Sequence, residues 1–574
     1  MGIRKRIITY IPIGIILIIS LFFRFFWLDR IPNAIGGDEL TYLISAKSIV
    51  QTGKDLTGTW NPLSAFIFKY PPNEQQAELP YFIHLPFSGL LSFSLFTARF
   101  PIAILSVGIV ILLYGIARKI FDTKTAVVVG LIAAINPWMV YIGRTSYEWS
   151  IAVFFYLLGL YLVIQKQKSL ILLSGLAFLL GFYSYIGTKI ILIPFVLISI
   201  FLAYRLNGKR YQKQYAVIGI ISVLFTLFFL MQVTRTTTGS RVSELFLPTN
   251  STIASEVDYF RKNSISSWLT QVYTNKMTVY IQILVTKLYR IFSPTYLFLE
   301  GDEFFSLWNH GMFYAIDALF LIIGSLYLFS KKRVEFILIT LFILVATLPQ
   351  LFHKNKTDFS YHIAFMFPFM VLLISYGITQ LVQSMHKSWK KIVMTAICCL
   401  YLISIGKFIS VYVYQHPLRG YFDFHARVLS QYLLTARKLS IPITLYSDAN
   451  SDYFRKFLFY TNSISLSTIK EITSDFSTPT FTLGGITFAP CDDRLVISPS
   501  STISIVDRNC SSIIDVPHLS ISRLSDGGEL YRIYNDSLCN GFNLKRYSQN
   551  ISIHDFAMDG LSQQRFCETY ISRL

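Results

Sequence analysis

Two adjacent carboxylates, Asp38 and Glu39, follow Gly36-Gly37 shortly after a long apolar run ends at Leu28. A carboxylate within hydrogen-bond reach of a hydroxyl can take its proton as the oxygen attacks, which is general-base work. An Asp behind two glycines at a helix start would also make a good N-cap, so local pattern leaves both roles open. Cations that could meet an anionic group recur further on. They are Lys69 in Phe68-Lys69-Tyr70-Pro71-Pro72, Arg144, Lys189 near Tyr183 and Tyr185, and the stretch from His353 through Lys354 and Lys356 to His362. Lys and Arg stabilise a departing phosphate by charge-assisted hydrogen bonds. Each also has an ordinary alternative: Arg144 pairing one turn away with Glu148, Lys189 snorkelling to headgroups, Lys69 exposed on a loop. Asp302, Glu303 and His310 share a short loop, but their spacing is no strong metal-ligand pattern, and a solvated loop fits them better.

The elements that must hold these residues are membrane spans. The chain of 574 residues is 53% hydrophobic and 16% aromatic with only 14% charged residues, and its mean hydropathy is +0.50. Lipid is the usual solvent of such a chain. Apolar runs of about 20 residues, enough to cross the hydrocarbon core, predict eleven spans: 7–28, 99–118, 125–142, 148–165, 169–185, 189–205, 213–232, 311–330, 334–352, 362–383 and 391–412. The first follows Arg4-Lys5-Arg6 but is too long for a signal core and lacks a small-residue cleavage site, so it is expected to stay as an anchor. Alternate loops carry the basic residues, among them Arg118-Lys119, Lys166, Arg205 to Lys213, Lys331-Lys332-Arg333 and Lys387 to Lys391. Basic loops stay inside, which puts the N-terminus in the cytoplasm and the C-terminal region outside the plasma membrane. These loops account for most of the formal net charge of +19, so the charge is no argument for nucleic acid. Residues 80–96 are expected to form a membrane-surface helix, since another span there would reverse every later loop.

Function is then expected in three large outer regions, 29–98, 233–310 and the stretch from 413. Residues 1–412 would form the membrane domain. Residues 413–574 would form an extracytoplasmic α/β domain, with strands at 443–446 and 495–497, a helix over 453–460 and a turn at Ser525-Asp526-Gly527-Gly528. Its four cysteines, Cys491, Cys510, Cys539 and Cys567, allow up to two disulfides of open pairing. Cys398-Cys399 falls inside a span and is expected to serve packing.

The order of motifs resembles one family. Arg24, Leu28-Asp29, Pro32 and Asp38-Glu39 come first, followed by Ala98-Arg99-Phe100-Pro101, Asn136-Pro137-Trp138 with Arg144-Thr145 and Glu148, and Tyr183 to Lys189. Phe292-Ser293-Pro294, Gly301-Asp302 and His310-Gly311 complete the set. Over about residues 20–385 this is similar to the protein O-mannosyltransferase-like GT-C glycosyltransferases, including the aminoarabinose transferases that modify lipid A. The resemblance implies a GT-C fold and inverting transfer of a sugar from a polyprenyl-phosphate donor to a protein, lipid or glycan acceptor at the outer face. A phosphate leaving group makes the second acid of a glycosidase dispensable. It also implies Asp38 as base, since the family's essential acid takes the first position of the pair, with Glu39 orienting the acceptor or a nearby cation. Lys69, Arg144, Lys189, Lys354, Lys356 and His362 would bind the donor phosphate; relatives carry His-x-x-Arg, and Phe365 stands where that arginine would be. Glu148, Tyr183, Tyr185, Asp302 and His310 would line the substrate cavity. No cofactor is implied as required, although some GT-C enzymes use a divalent metal. The competing expectations are a transporter or flippase, or a receptor, for lipid-linked sugars; only an enzyme consumes the donor.

Overall fold

The computed structural model describes residues 2–69, 77–233, 250–302, 304–307, 309–353, 359–419, 424–475, 478–492, 502–510, 517–544 and 551–573. Helices cover every predicted apolar run. Five described helical stretches are long and apolar enough to cross a membrane unaided: Leu95–Ile120, Thr188–Val233, Arg333–Phe352, Met366–Ser384 and Lys387–Leu418. Shorter apolar helices, such as Trp149–Val163 and Lys168–Phe182, pack among them. The chain is a multi-pass membrane protein.

Close packing in the bundle uses small residues where helix backbones meet. Helices Asp317–Lys331 and Met366–Ser384 approach so closely that a Cβ on Gly324 would strike the backbone of Leu373 and one on Gly377 the backbone of Phe320. Two buried arginines then tie helix ends together. Arg24 donates to Ser106 Oγ at 2.8 Å and to the carbonyls of Ala134 and Ala133 at 2.8 and 3.2 Å. Arg99 donates to the carbonyls of Leu28, Pro32 and Ala34 at 3.1, 2.6 and 2.6 Å. An irregular loop buried near a membrane needs its carbonyls satisfied, and Arg99 does this for the segment leading to Asp38.

Three elements differ from expectation. Residues 80–96 do not form one surface helix: Leu79–His84 runs into a π turn over Leu85–Gly89, and Ser94 then caps Leu95–Ile120, which starts before the predicted span. The prolines at 80 and 86 lack an N–H donor, and His84 is wholly buried. The predicted span 125–142 breaks at Asn136, whose side chain accepts from Met139 N–H and starts a second short helix, Pro137–Ile142. Cys398 and Cys399 are free and exposed, so they face away from the bundle rather than pack within it.

The C-terminal part carries a mixed seven-stranded sheet. Its strands are β1 Ile443–Tyr446, β2 Phe481–Leu483, β3 Ile486–Ala489, β4 Ile503–Asp507, β5 Leu519–Ser522, β6 Glu529–Tyr534 and β7 Ile571–Arg573. Their spatial order is β2-β3-β1-β4-β6-β5-β7, with β1 parallel to both β3 and β4 and the other pairings antiparallel. The predicted helix is Asn450–Tyr460, and the turn at 525–528 joins β5 to β6, where Arg523 N–H donates to the Gly528 carbonyl. The predicted strand at 495–497 lies outside the described residues. The cysteines pair as Cys491–Cys510 and Cys539–Cys567.

Candidate active site

Asp38 is the second residue of helix Gly37–Thr52, exposed at its first turn. It is not the N-cap. Gly36 holds that position, and Glu39 closes a capping box by accepting the Gly36 N–H on Oε2 at 2.8 Å. Glu39 Oε1 accepts the Ser146 N–H. Both carboxylate oxygens of the fully buried Glu39 are therefore used on backbone. Glu39 thereby joins the helix start to the segment after Arg144, with the Arg99 charge close enough to act on it. Gly36 is required by close approach, because a Cβ there would collide with Tyr147 Oη and lie 3.3 Å from Glu39 Oε2.

Burial is the largest influence on Glu39 and raises its pKa, against the Arg99 charge and the two amides; the Asp38 charge adds to the rise. A carboxyl raised on folding favours the native state below its ordinary value of 4.5, and that contribution is lost as pH climbs through the raised value. Glu39→Gln keeps one acceptor and sets an amide NH2 against the other N–H. The expected result is a loss of about 1–3 kcal/mol of stability and a flatter thermal-unfolding profile above pH 4.5; a profile matching wild type would refute this placement.

Tyr42 lies one turn beyond Asp38. Burial and then the charge of Glu148 hold its phenol well above the ordinary range, so it stays neutral, and its Oη accepts the Ala77 N–H at 3.0 Å. Asp38, Glu39, Tyr42 and Glu148 thus share one acidic neighbourhood, with Arg99 behind it. The Tyr42 bond also attaches helix Gly37–Thr52 to the segment that begins at Ala77. Lys69 is exposed, and Trp60 Nε1 fixes its backbone by donating to its carbonyl at 2.7 Å.

The other predicted cations are placed differently. Arg144 does not pair with Glu148; its guanidinium donates to Tyr412 Oη at 3.0 Å and to the carbonyls of Phe23 and Ile31, both at 2.9 Å. All three of its nitrogens therefore brace the first span, the loop beyond it and Tyr412. Lys189 neither snorkels nor stands open. It is buried, with Nζ 3.0 Å from Glu78 Oε2 and 2.7 Å from the Phe182 carbonyl, and the rings of Phe68, Phe182, Tyr183 and Phe229 lie 4.8–6.0 Å from Nζ. Glu78 was invisible to pattern reading because its partner is 111 residues away.

Tyr183 Oη donates to the Phe66 carbonyl at 3.0 Å, and its own carbonyl accepts from the amides of Glu78 and Leu79. Tyr185 is buried, its ring 6.0 Å from that of Tyr361. Asp302 is spent on the backbone, accepting from Phe304 and Ser360 at 2.8 Å and from Phe305. His310 Nδ1 lies 2.8 Å from the Gly311 carbonyl, and burial lowers its pKa. Asp302 and His310 belong to separate hydrogen-bond sets, Glu303 lies outside the described residues, and among the described residues no group of three His, Cys, Asp or Glu could hold a metal ion. Lys354 and Lys356 also lie outside the described residues. His362 is described: its Nδ1 is 2.6 Å from Gln350 Oε1 and its ring centroid 4.3 Å from that of His353. A cation that pattern reading missed sits beside them. Lys287, on helix Lys276–Ile291, is buried and donates to the His353 carbonyl; its only sequence signal was a basic residue on an apolar-faced helix.

The C-terminal part is docked on the loop that precedes Asp38. Tyr460 Oη accepts the Ile35 N–H at 2.9 Å, Arg427 Nη1 donates to the Asn33 carbonyl at 2.8 Å, and Asn33 Nδ2 donates to the Pro417 carbonyl at 2.8 Å.

Residues 78–229 match the family model described as dolichyl-phosphate-mannose-protein mannosyltransferase. ArnT from Cupriavidus metallidurans in the apo state is similar in structure, with a TM-score of 0.52 at 10% identity over 91% of this chain and 97% of that one. The same protein bound to undecaprenyl phosphate gives 0.50 at 10% identity over 92% and 98%. An oligosaccharyltransferase from Archaeoglobus fulgidus gives 0.42 at 12% identity; it covers 79% of this chain, which spans only 63% of that protein's length. No curated protein matches this sequence.

Proposed function

We propose, from the GT-C fold that this chain has, that it transfers a sugar from a polyprenyl-phosphate donor to a hydroxyl-bearing acceptor on the outer face of the plasma membrane, with inversion and with Asp38 as base. The observation that carries this reading is the mounting of Asp38. Glu39 caps the helix and Arg99 holds the loop, both buried, while Asp38 stands exposed at the same helix start, where a substrate can reach it. Similarity of fold to an ArnT structure bound to undecaprenyl phosphate supports the donor class. The acceptor oxygen would attack the anomeric carbon as Asp38 takes its proton, and the sugar–phosphate bond would break with its electron pair going to the phosphate.

The departing phosphate needs positive charge. With Arg144 and Lys189 tied to other groups, Lys69 is an exposed cation in the outer region that also carries the base, and the buried Lys287, beside His353 and His362, is a second candidate. Purified protein in nanodiscs, given a panel of polyprenyl-phosphate sugars and a mixed acceptor extract, is expected to release polyprenyl phosphate. Transfer of intact donor across the bilayer, or binding without consumption, would replace this reading with a transporter or a receptor. Lys69→Ala is expected to lower kcat/KM about 10- to 100-fold through loss of one charge-assisted contact; an unchanged value would remove Lys69 from the site. We further propose that no metal is required, and turnover is expected to continue in excess EDTA.

A further inference from the structure

A polar cavity of about 220 Å³ lies between the C-terminal part and the start of helix Leu95–Ile120. Its polar lining comes from Ser94, Arg427, Gln431, Tyr460, Thr461 and Asn462. A water needs only about 10–15 Å³ by this measure, so a larger guest fits. Arg427 is 7% exposed, and one of its nitrogens, Nη1, holds the Asn33 carbonyl. Among the described residues its Nε and Nη2 meet no hydrogen-bond acceptor. Asn462 uses only Oδ1, which accepts the Phe93 N–H at 3.0 Å. The Asn462 Nδ2 and the Gln431 amide have no partner among the described residues either, Asn462 being exposed and Gln431 half-buried. Among the described residues no acidic side chain lines the cavity, so a buried guanidinium and two amides present donors there.

Burying a cation without a counter-charge is costly unless a ligand supplies one, and an arginine fork beside amide donors matches the oxygens of a phosphate group. We propose that this cavity is a phosphate-binding site, taking either a soluble phosphate-bearing molecule or a lipid headgroup. It adjoins the base loop directly, because Arg427 and Tyr460 both line the cavity and hold Asn33 and Ile35. It does not depend on the sugar-transfer reading.

Radiolabelled inorganic phosphate is titrated against full-length protein in phosphatidylcholine nanodiscs, without donor. A saturable site is expected, weakened at least about 10-fold in Asn462→Asp and in Gln431→Glu, as loss of a charge-assisted donor predicts. Asn462→Asp keeps the acceptor for Phe93, and aspartate tolerates the left-handed backbone at this position, where φ is 49°. The same site is expected to persist in Lys69→Ala, which separates it from a donor subsite. Phosphatidylglycerol that displaces the phosphate supports the headgroup as ligand, and failure to displace supports a soluble one. Absence of saturable binding, or binding unchanged in both cavity variants, overturns the proposal.

Discussion

Asp38→Asn is expected to lower kcat about 10²–10⁴-fold, the range general-base catalysis supplies, while donor binding is retained. The substitution preserves shape and removes the proton acceptor. It leaves the helix cap in place, because Gly36 is the N-cap and Glu39 makes the capping bonds. The helix also loses a negative charge in its first turn, worth about 0.3–1 kcal/mol. A variant that folds, binds donor and fails to turn over would have lost an interaction made only in the transition state. Single-turnover measurement of polyprenyl phosphate release, with donor binding measured in parallel, tests this. Activity within about tenfold of wild type would exclude Asp38 as base and direct attention to Glu148, the other acid beside Tyr42.

The second large effect concerns Glu78 and Lys189. Their side chains are 0% and 3% exposed, and the ammonium sits among four aromatic rings. Removing one partner leaves a buried charge unpaired, so Lys189→Met or Glu78→Gln alone is expected to cost about 3–5 kcal/mol. Replacing both removes the charges together and is expected to restore most of the loss. Thermal unfolding of the two single variants and the double variant in nanodiscs gives the coupling directly. Turnover by the double variant tests the site separately from stability. If Lys189 is a strut, the double variant folds and turns over; if it meets the donor phosphate, the double variant folds and is inactive.

Much of the architecture was legible because a membrane enforces simple rules. Apolar runs must be helical to satisfy their backbone in lipid, so the helices followed from hydropathy. The same reasoning failed at 80–96 and 125–142, where prolines and Asn136 redirect the chain, effects that average apolarity does not register. In the C-terminal part the helix and the turn were visible locally, whereas the sheet order places β1 between β3 and β4 by long-range pairing. The disulfide partners were likewise fixed only by the fold, which brings Cα atoms of each pair to 5.4 Å.

Around the site the division is sharper. Residue type and order alone marked Asp38-Glu39, the cations and their membrane-edge setting, because charges are too costly near lipid to be placed idly. Only packing assigned their duties. The two adjacent carboxylates look equivalent in the chain, yet a backbone amide from Ser146, 107 residues away, makes one a structural cap and leaves the other exposed. Arg144 and Lys189 look like phosphate ligands until the carbonyls and the carboxylate that occupy them come into contact through the bundle. A side chain's chemistry is local, but whether it is able to act depends on what the rest of the fold brings within about 3 Å of it.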